Sequence, residues 1–70
     1  MYINFEKYKS ITDPYHYTLS FQQSSFGLHI RITSQICQYI IGNTLSWESI
    51  KLCNIDLIEY TIKLMCEVQS

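Results

Sequence analysis

Two histidines, one arginine and three cysteines are the residues of this chain best equipped for chemistry, and their spacing limits how much of it they can do. His16 and His29 sit in two alternating segments, Tyr15 to Phe21 and Phe26 to Ile32, which read as the arms of a β-hairpin. Pairing Leu19 with Leu28 sets Tyr17 against Ile30 and Tyr15 against Ile32. One face is then wholly apolar, and the other carries His16, Thr18, Ser20, His29 and Arg31. In that register His16 lies opposite Arg31 and His29 opposite Thr18. Two imidazoles beside a guanidinium would suit an anion or a proton transfer. Neither arm contains an Asp or Glu to orient either ring, however, and no third ligand is spaced for zinc, so a solvated polar face is the stronger reading.

Cys37, Cys53 and Cys66 are odd in number, and their spacings of sixteen and thirteen fit neither a disulfide framework nor a zinc motif. Each falls within an apolar pattern, whereas a nucleophilic thiolate needs an electropositive, partly open environment. On one continuous helix Cys53 and Cys66 would stand roughly 20 Å apart, beyond the ~7 Å reach of a disulfide. Three free thiols and no metal are expected. The two glycines are fifteen residues apart and form no phosphate-binding loop, so no cofactor is expected either. No constellation for catalysis emerges, and the expected class is not an enzyme.

The elements that must carry these residues fit one small domain spanning residues 1–70. Seventy residues lie near the lower limit for a self-sufficient core, yet 47% are apolar and only 16% charged. So much apolar surface implies a covering partner, a second copy or another protein. A net charge of −1 with no basic cluster disfavours nucleic acid. Neither a secretion signal nor a run of roughly 20 apolar residues is present, so a cytoplasmic chain without membrane contact is expected. Ala is absent while Ile, Tyr, Lys and Ser abound, the bias of an AT-rich genome such as a phage or mobile element.

A lone hairpin is marginal in water and needs a third strand or a helix. Residues 2–8 suit either: Tyr2-Ile3-Asn4-Phe5 alternates like a strand, while Asn4 before Phe5, Tyr8 and Ile11 suits a capped helix. Asp13-Pro14 punctuates the chain before the hairpin. After it, Ser34, the spacing of Ile36, Cys37, Ile40 and Ile41, and then Gly42 favour a short helix over 34–41, with a strand as competitor on β-branched content. Ser46, staple residues Leu45 and Ile50, and Glu48 open a long C-terminal helix, which Asn54 and Asp56 are placed to interrupt. The expected fold is a small two-layer α+β domain, the hairpin packed on that helix.

If continuous, the long helix turns Ile50, Cys53, Leu57, Ile58, Tyr60, Leu64, Met65 and Val68 toward the hairpin. A second line, Ile55, Ile62 and Cys66 with Leu52 at its margin, then faces away. Either the helix is sandwiched within its own chain, or Leu52, Ile55, Ile62 and Cys66 bind a partner. The second alternative makes the chain a small interaction protein, an inhibitor or adaptor that covers a surface of a larger protein or pairs as a homodimer. The runner-up is a homodimeric nucleic-acid-binding regulator using a helical corner at residues 34–53. That corner offers Trp47, Glu48, Ser49, Ile50 and Lys51, one cation against one acid, which is poor chemistry for a DNA groove.

Overall fold

The computed structural model describes residues 3–69; Tyr2, the first residue of the segment weighed as a strand, lies outside them. Helix α1 (Phe5–Thr12) and a 3₁₀ turn (Asp13–Tyr15) lead into a meander of β1 (Tyr17–Gln23), β2 (Gly27–Ser34) and β3 (Ile40–Ser46). Helices α2 (Trp47–Leu52) and α3 (Leu57–Gln69) complete an α+β domain with sheet order β1-β2-β3, every pairing antiparallel. Asn4 caps α1, its side chain accepting from the Lys7 N–H, so the segment around residues 5–8 is helix rather than strand. The third strand comes instead from the far side of the hairpin.

The hairpin forms, but its register is not the expected one. Leu19 lies opposite Ile32, Phe21 opposite Ile30, and Leu28 opposite Gln23. Gln22 and Gln23 extend the strand, and the turn closes beyond them with the Ser24 N–H on the Gly27 carbonyl at 2.9 Å. The Ser24 hydroxyl accepts from the N–H groups of Phe26 and Gly27, stabilising the tighter turn. Each β1 residue thus meets one four positions further along β2 than expected. Because the shift is even, Tyr17, Leu19 and Phe21 still share a face with Leu28, Ile30 and Ile32.

The expected helix over 34–41 is replaced by a tight connection and a strand, so the helical corner at 34–53 does not exist. The Ser34 hydroxyl accepts from the N–H groups of Ile36 and Cys37, and Gln38 takes a left-handed conformation at φ 61°. Ser34 N–H then reaches the Tyr39 carbonyl and starts β3. β-branched Ile40, Ile41 and Thr44 fit the pleat better than a helix, and tertiary pairing with β2 outweighs their 3.6-residue spacing.

Ser46 caps α2 as its sequence indicates, accepting from the Ser49 N–H. The helix stops after six residues, and Asp56 starts a new one by accepting from the Glu59 N–H at 3.1 Å. This break resets the helical phase. Ile58, Thr61, Ile62, Met65 and Cys66 face the core, while Tyr60, Leu64 and Val68, expected inside, are exposed. The core joins these to Tyr8 of α1, Tyr17 and Leu19 of β1, and Leu28, Ile30 and Ile32 of β2. Phe5 and Tyr8 set their rings edge-on to Phe21, each at 5.9 Å, and so seat α1 on β1.

Asp56 also joins the two helices, accepting from the Tyr8 hydroxyl at 2.9 Å and from Lys7 Nζ at 2.8 Å. Burial alone would raise its carboxyl, but hydrogen bonds from Lys7, the Glu59 N–H and Tyr8 prevail and hold it below the ordinary 3.8. Burial, then the Asp56 bond, raises the Tyr8 phenol above 10.0, and the Asp56 hydrogen bond and charge raise Lys7 above 10.5. The depressed carboxyl stabilises the fold above about pH 3.8 and loses that contribution as pH falls through its folded value. The two raised groups stabilise below about 10 and lose their contribution as pH rises through theirs. Denaturant titrations across pH should therefore show a plateau with two falling limbs, and Asp56→Asn, which keeps a capping side chain, should flatten the acid limb. Asp56→Ala should cost about 1–2 kcal/mol at neutral pH.

Gly27 is the position where the sheet admits no side chain, since a Cβ there would collide with the Leu45 carbonyl of β3. Gly27→Ala should destabilise by about 1–3 kcal/mol, the cost of overpacking, and the loss should show in the denaturation midpoint.

Candidate functional site

The structure separates the two groups of residues that the sequence singles out. His16 lies outside the sheet in the left-handed region at φ 61°, its carbonyl accepting from the Gln35 N–H, so it does not oppose Arg31. Arg31 pairs with Ser20 and Gly42, and His29 with Gln22 and Thr44, on the sheet face away from the helices. The His29 ring meets the Thr44 hydroxyl through Nδ1 at 2.9 Å and lies over Gly42, where a Cβ would come within 3.0 Å of it. Its position is thus explained by packing. Among the described residues no three of His, Cys, Asp and Glu gather as metal ligands would.

Of the four residues proposed to bind a partner, Ile62 and Cys66 are wholly buried in the chain's own core, whereas Leu52 and Ile55 are exposed. They form no single surface, because the break before α3 turns Ile62 and Cys66 inward. Burial, with the Glu67 charge second, pushes the Cys66 thiol up and away from the reactive thiolate. Cys37 is exposed and Cys53 half-buried, and all three thiols are free.

The strongest surface feature lies elsewhere. Strand β3 occupies one edge of the sheet, and none of its seven residues is buried, although its neighbours Leu28, Ile30 and Ile32 are completely so. Its inner row, Ile41, Asn43 and Leu45, reaches only partly under α3. Between strand and helix runs a groove of about 260 Å³ lined by Ile41, Gly42, Asn43, Leu64, Met65 and Val68. Tyr60, Leu64 and Val68, spaced by four, form an apolar stripe along α3 beside it. The opposite edge differs: β1 buries Tyr17 and Leu19 against its own chain.

Backbone geometry sharpens the contrast. The Ser34 N–H bonds to the Tyr39 carbonyl, and hydrogen-bonded pairs alternate along an antiparallel ladder, so residues 41, 43 and 45 turn their backbone toward β2. Ile40, Gly42 and Thr44 then direct theirs outward. The Thr44 N–H is met locally by the Asn43 side chain at 2.9 Å. Edges of soluble proteins are commonly blunted by charge, proline or a bulge, yet Ile40–Ser46 contains no charged residue and no proline. Sequence reasoning missed this edge because it placed Ile40 and Ile41 on a helix; β-branched Ile40, Ile41 and Thr44 were the signal available.

The chain has no match among protein-family models, curated proteins or solved structures.

The division between core and surface is directly measurable. Ile62→Ala should cost about 2–5 kcal/mol, as for a packed aliphatic residue, while Leu52→Ala and Ile55→Ala should stay within about 0.5 kcal/mol by chemical denaturation.

Proposed function

We propose that this chain is a non-enzymatic protein-interaction domain, an inhibitor or adaptor in kind, and that its binding surface is the β3 edge with the α3 stripe. The observation that carries the reading is a seven-residue strand with no buried residue and no charge, lying beside exposed Tyr60, Leu64 and Val68. Such an edge supplies backbone donors and acceptors for an added strand, and the adjacent groove holds its side chains, the arrangement by which sheets take up an extended partner. The apolar stripe contributes area and excludes water from the new hydrogen bonds.

The nucleic-acid alternative has lost the helical corner on which it rested, and the strand that replaces it carries no cation to meet a phosphate. No helix among the described residues is long and apolar enough to cross a membrane.

Tagged chain should capture a specific protein, a second copy included, and lose at least about tenfold in affinity when Leu64 and Val68 are both changed to Lys. Phe26→Lys, at an exposed site on the β1–β2 turn, should leave capture intact. Capture that survives the double change but is lost on Phe26→Lys would move the surface to the other end of the molecule and overturn the assignment.

A further inference from the structure

We infer that the occupant of the β3 edge is a second copy of this chain, joined strand to strand about a twofold axis at Asn43 to give one continuous six-stranded sheet. This rests on the proposed interaction function and names its partner. Three observations select it.

The first is register. With Ile40, Gly42 and Thr44 turned outward, a twofold axis at Asn43 pairs Gly42 with Thr44 of the other copy through hydrogen bonds and sets all seven residues of each β3 against the other. Ile41 then faces Leu45 as a close, non-hydrogen-bonded pair, the geometry in which cross-strand side chains approach best. A strand that meets itself across a twofold axis must run antiparallel, matching the rest of the sheet.

The second is the alignment of helix with strand. Asn43 and Leu64 line the same groove, so an axis at Asn43 brings the grooves of the two copies together on one face of the sheet. The two α3 helices then flank the seam on one face, with Leu64, Tyr60 and Val68 of each along it. Those side chains are 41%, 51% and 74% exposed in the single chain. With the strand edge and exposed Ile40, they supply the apolar surface that the pairing covers.

The third is charge. The strand is uncharged, so a second copy meets it without like-charge repulsion, and a basic or acidic partner would find nothing on the strand to pair with. The exposed Thr44 N–H, met only by the side chain beside it, gains a main-chain carbonyl in the assembled sheet.

The twofold axis makes a sharp test possible, because a charge at residue 43 must face its own copy. Sedimentation of the wild-type chain over a micromolar concentration series should give the dimer mass, and Phe26→Lys should not change it. Asn43→Lys and Asn43→Asp should each raise the dimer dissociation constant at least about tenfold while leaving the far-ultraviolet circular dichroism unaltered. Mixed in equal amounts, the two variants should recover the dimer mass, since Lys and Asp then face one another. Asn43→Asp keeps a side-chain acceptor for the Thr44 N–H, so its dissociation cannot be laid to loss of that bond. A wild-type chain of monomer mass throughout, charged variants that remain dimeric, or a mixture that stays dissociated would overturn the inference. If the monomeric wild type still captured another protein in a manner sensitive to Leu64 and Val68, the proposed function would stand and only the second copy would fall.

Discussion

Everything in this molecule leans on the apolar row of the central strand. Leu28, Ile30 and Ile32 have no exposed surface, and β2 is the strand hydrogen-bonded on both sides. Burying three such side chains is worth about 1.5–3 kcal/mol each, a large share of the net stability open to a chain of this length. The row also dictates geometry, since it defines the face on which Tyr8, Ile58, Ile62, Met65 and Cys66 must converge. The outward residues of the same strand, His29 and Arg31, are carried to the opposite side by the pleat and not gathered into a site.

Asp56 transmits that order to the helices. As the cap of α3 it sets where the helical phase begins, and therefore which side chains reach the sheet. As the acceptor for Lys7 and Tyr8 it binds α1 to the same point. The helix that this carboxylate caps packs Ile62 and Cys66 inside and leaves Leu64 and Val68 outside. Trp47 performs a similar service at the other end, donating its indole N–H to the Ser24 carbonyl and fixing the start of α2 against the first turn.

How much of this is legible in the sequence depends on which physical signal each feature leaves. Alternation in Tyr15–Phe21 and Phe26–Ile32 carries the parity of the side chains but not the register, because any even shift preserves the faces. The register is decided by the turn, where Ser24 caps its own loop and recruits Gln22 and Gln23 into the strand. Local capping chemistry is readable: Asn4, Ser46 and the interruption near Asp56 all act where their side-chain acceptors stand. Periodicity alone misleads at residues 34–41, where spacing fits a helix and β-branching fits a strand, and only pairing with β2 resolves the contest. The surface assigned to Leu52, Ile55, Ile62 and Cys66 fails for a related reason. A wheel drawn through an uninterrupted helix carries its phase across a break that the chain does not cross as helix.

The uncovered edge follows from the same limits. α1 is held over β1 by the ring contacts to Phe21, and α3 is held over β2 by the burial of Ile58, Ile62 and Met65, so neither helix fully covers β3. The short α2 leaves the end of β3 with none of its own residues buried and cannot serve as a lid. Among the described residues the two packing helices therefore cover β1 and β2 and leave β3 without a buried residue. Charge on the edge would have made that state harmless in isolation. Its absence, together with the apolar stripe of α3 beside the edge, is the pair of features on which the proposed assembly at β3 rests.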